Sequence, residues 1–317
     1  MQSNTLINLK SFRALVVVIA IAPLLQGGCI VDSEPDPNTN TIIYPTNPTN
    51  LDFRELKPND EYHYEFTGTY SLESGGIAEN TSGTLIVKYS VATPLTHPFN
   101  NTVISVLNET SILEFNDGPQ ITSVRYILQD SDGTINTVAY PGAGTGNEYW
   151  VNAITDIEPT AIKSSIQMAP ILKSPITQGD SYNNTVNVLT GCISTGVCDD
   201  WLRRITETVT VGSSEVIAST PLGNFSSIQI NFNSSLSQDF TEKVINRTST
   251  IFSLRTACEI YNLNSSDKVS ATFSEVYFVF PEVGVVRFEL NCIAIGYFIK
   301  GYLTEVININ IPEATTP

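Results

Sequence analysis

The chain has 317 residues, of which 41% are hydrophobic and 15% are charged, with 32 acidic residues against 16 basic ones. The formal net charge of −16 repels nucleic-acid phosphates and anionic lipid headgroups, which argues against a nucleic-acid partner and against membrane binding through a basic surface. The length leaves room for one large domain of about 260 residues with its own core.

The N-terminus has the order of a secretory signal. Two basic residues, Lys10 and Arg13, precede an apolar run from Ala14 to Leu25, and the small-residue stretch Gly27-Gly28-Cys29 follows. The apolar run has about a dozen residues, whereas a helix that crosses a bilayer needs roughly 20. Residues 1–28 are therefore predicted to be a cleaved signal peptide.

The end of this signal resembles the bacterial lipobox, in which two small residues precede a cysteine. The usual leucine three places before the cysteine is replaced by Gln26, and Leu25 stands one place too early. The resemblance implies that Cys29 carries the lipid and attaches the chain to a membrane, where multiple acyl chains make the attachment effectively permanent. Cleavage before Cys29 removes two basic residues and no acidic one, so the mature chain has a formal net charge of −18. Ordinary secretion, with Cys29 as a free or paired thiol, is the alternative.

Residues 29–50 are predicted to be a lipidated cysteine followed by a disordered tether. Pro, Asn, Thr and acidic residues dominate this segment, and such residues bury too little area to offset the entropy of ordering the chain. Its sizeable apolar groups are Ile42, Ile43 and Tyr44. Ile30 follows the cysteine and Asp32 comes three places after it, which by resemblance to enterobacterial sorting favours the outer membrane, with the periplasmic or surface face left open.

Residues 51–317 are predicted to form a single antiparallel β-rich extracytoplasmic domain. Apolar and polar residues alternate with period two in several segments, as in half-buried strands. The apolar positions are Tyr62, Tyr64 and Phe66; Leu85, Val87, Tyr89 and Val91; Ile228, Ile230 and Phe232; Val276, Phe278 and Phe280; and Val286, Phe288 and Leu290. We therefore expect an all-β or β-dominated α+β fold, a large curved antiparallel sheet resembling a half-barrel or a sandwich. One or two short helices are expected near residues 158–168 and 253–263.

Four further cysteines fit an exported chain with two disulfides. The preferred pairing is Cys192 with Cys198, across a short loop, and Cys258 with Cys292. A zinc site from the same thiols is the competing interpretation, but the chain lacks the paired C-x-x-C knuckles and the histidines that zinc usually recruits.

Catalytic and metal-binding patterns are sparse. The two histidines, His63 and His97, stand in no catalytic or metal-binding motif, and no nucleophile elbow, P-loop or dinucleotide fingerprint is present. Asp130-Ser131-Asp132-Gly133 begins like a calcium loop but lacks the later acidic ligand, so a hairpin turn explains it better. The tight acidic pair Asp199-Asp200 beside Trp201 is interpreted as a loop end rather than a glycosidase pair. We expect no catalytic residues, no metal and no cofactor.

Three short pieces between residues 174 and 289 resemble uncharacterised bacterial periplasmic proteins and lipoproteins that are related in fold to the half-barrel of lipoprotein-carrier proteins. The pieces are PITQGDSY at 175–182, EVIASTPLGNF at 215–225 and YFVFPEVGVVRFE at 277–289. Pro221 and Gly223 fit a tight connection, and Pro281 and Gly284 fit a turn between successive antiparallel strands. Members of that group often carry Trp in place of Tyr277, and the cysteine-bearing insertions have no counterpart in them. The resemblance implies a concave apolar face, not a reaction.

Together these patterns predict a membrane-anchored bacterial lipoprotein of the cell envelope without enzymatic activity. It is expected to bind an apolar ligand or an envelope protein on the concave side of its sheet. The residues expected to line that surface are Tyr62, Tyr64, Phe66, Phe278 and Phe280. A surface-exposed adhesion or structural lipoprotein is the alternative, favoured by the Asn- and Thr-rich strands.

Overall fold

The computed structural model describes residues 43–44, 51–70, 79–98, 101–116, 120–141, 148–152, 169–190, 200–239, 268–292 and 297–313. Within these ranges the regular structure consists of strands, so the prediction of a β-dominated fold is confirmed. The strands are β1 Ile43–Tyr44, β2 Glu61–Tyr70, β3 Glu79–Val91, β4 Leu95–Thr96, β5 Val103–Ile104, β6 Leu107–Phe115, β7 Gln120–Gln129, β8 Ile135–Tyr140, β9 Tyr149–Asn152, β10 Ala169–Leu172, β11 Ser181–Thr190, β12 Asp200–Thr220, β13 Gly223–Asp239, β14 Lys268–Phe280, β15 Gly284–Cys292 and β16 Tyr297–Ile307.

Most strands belong to one large sheet rather than to two packed sheets. Twelve strands pair antiparallel in the order β13-β12-β11-β9-β8-β7-β6-β3-β2-β16-β15-β14, and β13 also pairs with β14. Strand β1 adds to β13 in parallel, β10 pairs with β8, and β4 and β5 form a separate two-stranded hairpin. The sheet curves around its inner face, because residues of β3, β8 and β14 line one cavity although they lie far apart in this order.

The inner face follows from the alternation in the sequence. Successive side chains of a strand point to opposite faces of the sheet. The register between paired strands therefore decides whether their apolar residues lie on the same face. Leu303 of β16 pairs with Tyr64 of β2, Tyr64 with Leu85 of β3, and Leu85 with Leu113 of β6, and all four side chains are buried. Between them, outward residues such as Glu65 are exposed. The buried inner residues form the core of the domain.

Aromatic rings and glycines alternate along one row of this inner face. Phe288, Gly301, Phe66, Gly83 and Phe115 are consecutive cross-strand partners on β15, β16, β2, β3 and β6. The rings occupy the space that a Cβ at each glycine would need: such an atom at Gly301 would stand 2.2 Å from the ring of Phe288, and one at Gly83 would stand 2.6 Å from the ring of Phe66. The row thus packs large rings directly on the backbone.

The predicted turns are present. Strand β14 ends at Phe280 and β15 begins at Gly284, which has φ +123° and pairs with Phe280. The β12–β13 turn is held by Thr220, whose hydroxyl donates to Gly223 O and accepts from Leu222 N. In the β7–β8 hairpin, Gly133 has φ +91° and its N–H donates to Asp130 O, as the hairpin interpretation of this segment predicts.

The segment predicted to be a tether contains a short strand. Ile43 and Tyr44 of β1 pair with Asn224 and Phe225 of β13, and the Tyr44 ring stacks on Phe225 at a centroid distance of 4.5 Å. The apolar residues of this polar segment thus pair with β13, where the Phe225 ring is buried. The described residues belong to one unit, Pro35–Pro317.

Neither short-helix candidate can be compared with the fold, because residues 158–168 and 253–263 lie outside the described residues. In the ranges that are described, helices long and apolar enough to span a membrane are absent.

Candidate functional site

A cavity of about 150 Å³ lies against the inner face. Its walls come from residues of the 51–60 segment and from β2, β3, β6, β7, β8, β10, β14 and β15. Most of the lining is aliphatic or aromatic, and two arginines and a glutamate are set into it: Arg54, Arg125 and Glu109. Sites for small molecules typically combine an apolar lining with a few convergent polar groups. This cavity is therefore the candidate functional site.

Two tyrosines of β2 line the cavity and bond to the backbone of the β14–β15 turn and of the first residues of β15. The hydroxyl of Tyr62 donates to Val283 O and that of Tyr64 to Val285 O, each at 2.7 Å. Burial raises the pKa of Tyr62 to about 12, against the opposing effect of Arg54, and it raises the pKa of Tyr64 well above its ordinary value. Both phenols are therefore neutral hydrogen-bond donors. A Cβ at Gly284 would lie 3.1 Å from the Tyr62 hydroxyl, which adds a steric reason for glycine there.

Arg54 belongs to the 51–60 segment that precedes β2, and it borders the cavity on that side. Its Nη1 lies 2.7 Å from Asp60 Oδ2 and 3.3 Å from the Tyr62 hydroxyl, and its backbone N–H donates to Pro281 O at 3.1 Å. Burial lowers the pKa of Arg54, but Asp60 and Tyr62 raise it more, so the net shift is upward. These bonds fasten the segment before β2 over the cavity.

The second polar group is an ion pair between two neighbouring strands. Glu109 of β6 and Arg125 of β7 are cross-strand partners, and Arg125 Nε donates to Glu109 Oε1 at 2.6 Å. The other carboxylate oxygen, Oε2, accepts from the Tyr89 hydroxyl at 3.1 Å. Burial opposes the charge on Arg125, but Glu109 outweighs it and raises the pKa of the guanidinium. The guanidinium of Arg125 is therefore charged at neutral pH.

The volume limits what the cavity can accept. Pockets for drug-sized molecules hold roughly 300–1,000 Å³, whereas an engineered apolar cavity of about 150 Å³ takes up benzene. A cavity of the size seen here fits an apolar group of about one aromatic ring. A whole lipid does not fit in it.

A second depression, of about 580 Å³, lies at the β7–β8 turn. The carboxylates that line it are Asp52, Glu55, Asp130 and Asp132. Asp130 accepts from Asn136 Nδ2 and Asp132 from Thr134 N, so these two carboxylates hold the hairpin together. In the part of the chain that the structure describes, no group of three or more His, Cys, Asp or Glu side chains is arranged to hold a metal. Because Asp130 and Asp132 serve the turn and no metal-binding group is formed among the described residues, we assign no ligand to this depression.

The five residues predicted to line a binding surface do not all lie at the same site. Tyr62 and Tyr64 line the cavity. Phe66 instead packs edge-on against Phe115 at 5.4 Å, and Phe280 packs on Phe225. Phe278 lies one residue from Tyr277, hence on the opposite strand face, with the Arg287 guanidinium 4.8 Å from its ring centre. Phe66, Phe278 and Phe280 therefore do not line the cavity that Tyr62 and Tyr64 line, because alternation alone does not show which rings pack against other side chains.

The predicted lipidation and disulfide sites cannot be compared with the structure. Cys29, Cys192, Cys198 and Cys258 lie outside the described residues, and Cys292 ends β15 with a side chain that is not described. Lipidation of Cys29 and both disulfides stay predictions.

The sequence interpretation missed the charged groups of the cavity, although the signal was present. In β6 the inward positions include Leu107, Leu113 and Phe115, and Glu109 occupies the same face. Charged residues are rarely buried unless they are paired, so a carboxylate on an apolar strand face marks a site where a partner is required. Arg125, on the facing position of β7, is that partner.

Comparison with known proteins adds little. No protein-family model matches the chain, and no curated protein matches it. Among solved structures, the chain is similar to one described as an exported protein with a YmcC-like fold from Bacteroides fragilis, at 12% identity and a TM-score of 0.36, over 81% of this chain and 100% of that one. It is also similar to one described as a lipoprotein from Parabacteroides distasonis, at 12% identity and a TM-score of 0.33, over 84% of this chain and 99% of that one.

Proposed function

We propose that this protein is a lipid-anchored protein of the bacterial cell envelope that binds a small, mostly apolar ligand in the cavity on the inner face of its sheet. Binding is its role, without chemical conversion of the ligand. The observation that carries the proposal is the cavity itself, in which an apolar lining surrounds a few fixed polar groups. The anchor is proposed from the signal sequence and Cys29.

The anchor is tested by the intact mass of the protein purified from membranes. The expected mass is that of residues 29–317 plus the fatty acids on Cys29, and Cys29→Ser removes both the fatty acids and the membrane attachment. Fractionation of inner and outer membranes tests the outer-membrane location, which is inferred from Ile30 and Asp32. A purified chain that retains residues 1–28, or a mature chain without fatty acid, contradicts the anchor.

Ligand binding is tested with benzene on the mature chain carrying Cys29→Ser. This variant has no acyl chains, so it can be studied without detergent. Benzene is expected to raise the unfolding temperature in a concentration-dependent way, because a ligand that binds only the folded state stabilises it. Ser111 lines the cavity, so Ser111→Leu fills the space and is expected to abolish this effect.

The matched control is Ser90→Leu, at an exposed position of β3 that faces away from the cavity. It is expected to bind benzene like the parent chain. Equal responses of the two leucine variants to benzene would show that the cavity is not the binding site.

A further inference from the structure

The polar groups of the cavity differ in how much hydrogen-bonding capacity they have left. The hydroxyls of Tyr62, Tyr64 and Tyr89 each donate to a fixed acceptor. Both oxygens of Glu109 already accept a hydrogen bond, one from Arg125 and one from Tyr89. These groups hold the wall together and have little left to offer a ligand.

Arg54 is held through Nη1 by Asp60 and the Tyr62 hydroxyl, whereas Arg125 keeps both terminal nitrogens open. A guanidinium has five N–H donors, and in this one only Nε is engaged, by Glu109. Within the described ranges, the two terminal nitrogens Nη1 and Nη2 have no hydrogen-bond partner. The side chain lines the cavity and is 28% exposed, so these donors are accessible. The hydrogen-bonding groups that remain unused in the Arg125 and Glu109 pair are therefore mainly N–H donors of the charged guanidinium.

We propose that the ligand of this cavity is a small monocarboxylate with an apolar body of about one aromatic ring, whose carboxylate pairs with Nη1 and Nη2 of Arg125. This inference rests on the proposed function and names the class of ligand. The planar fork of a guanidinium matches the two oxygens of a carboxylate, and such bidentate pairs are stronger than neutral hydrogen bonds. The ring-sized body fits the volume of about 150 Å³ and its apolar lining.

The charge of the whole chain does not oppose this pairing. The net charge of −18 on the mature chain slows the approach of an anion, but exposed charges farther away than about 8 Å are largely screened at physiological ionic strength. The carboxylate that contacts Arg125 is Glu109, whose charge Arg125 itself offsets. The Glu109 carboxylate therefore weakens the binding of an anion without preventing it. Removing its charge is expected to tighten anion binding.

The probes are benzoate and benzyl alcohol, which share a ring and differ in charge. Their dissociation constants are measured by calorimetry on the mature chain carrying Cys29→Ser. Benzoate is expected to bind at least tenfold more tightly than benzyl alcohol, because a bidentate hydrogen-bonded pair between two charged groups is stronger than a neutral hydrogen bond. Glu109→Gln removes the neighbouring negative charge and is expected to increase the preference for benzoate over benzyl alcohol.

The loss of the cation is tested in the Glu109→Gln background, so that no buried carboxylate is left without its partner. Arg125→Gln in that background is expected to abolish the preference for benzoate over benzyl alcohol. Arg287→Gln is the matched control, since Arg287 lies between the rings of Phe278 and Tyr302 and does not line the cavity. It is expected to keep the preference.

The outcomes separate this inference from the proposed function. If benzyl alcohol binds as tightly as benzoate, or if the preference survives Arg125→Gln, the carboxylate inference is wrong while the cavity still binds. If neither probe binds and benzene does not bind either, the proposed function fails as well.

Discussion

Replacing Gly301 by alanine tests the row in which rings lie on glycines. The new Cβ would stand 2.2 Å from two ring atoms of Phe288, whereas ordinary contacts begin near 3.4 Å, so the ring has to move by about 1.2 Å. Phe288 is 4% exposed and packs edge-on against Tyr64 at 5.4 Å, which leaves it little room. Overpacking of this kind costs about 1–3 kcal/mol, and replacing a strand glycine returns about 0.5–1 kcal/mol. We expect a net loss of about 1 kcal/mol.

The measurement is urea unfolding of the mature chain carrying Cys29→Ser, compared with Gly212→Ala as the control. A Cβ at Gly212 meets its nearest atom, Gln229 O, at 3.3 Å, so that substitution needs only a small adjustment. Adding Phe288→Leu to Gly301→Ala makes room for the methyl group, and the double variant is expected to be less destabilised than the sum of the single variants by about 1 kcal/mol. The reasoning is refuted if Gly301→Ala and Gly212→Ala have the same stability within about 0.5 kcal/mol.

Three further changes have expected outcomes. Tyr64→Phe leaves Val285 O without its buried donor and is expected to lower the free energy of unfolding by about 1–3 kcal/mol, measured in urea. Phe225→Ala empties a fully buried site and is expected to cost about 3–5 kcal/mol in the same assay. Burial raises the pKa of Glu61, but Lys88 and His63 lower it more, so its stabilising contribution is present at neutral pH and lost as the pH falls through the lowered pKa. NMR titration of Glu61 is expected to show an upward shift of that pKa in Lys88→Met, and an unchanged titration would contradict the assignment.

The sequence predicted the fold class well because alternation is a local signal. The apolar positions Tyr62, Tyr64 and Phe66, and likewise Ile228 and Phe232, are buried as expected. The glycine and proline turns were also predictable, because positive φ and fixed φ are properties of single residues.

The site was less predictable because it depends on register between strands. Tyr62 and Tyr64, which the alternation singled out, border the cavity. Glu109 and Arg125 are 16 residues apart, and their pairing depends on how β6 and β7 align. The aromatic and glycine row requires five strands in one register, which no local pattern in the chain specifies.

The pairing of β2 with β16 constrains when the molecule can finish folding. The two strands come from opposite ends of the domain: Thr304 Oγ1 donates to His63 O across 241 residues of chain. Ordering that loop is entropically unfavourable until many other contacts exist, and contacts of such sequence separation slow folding. During synthesis, β2 emerges early and exposes an unpaired edge until the last strand has been made, and such edges promote association with other chains. We therefore expect a chain truncated before Tyr297 to aggregate rather than to fold.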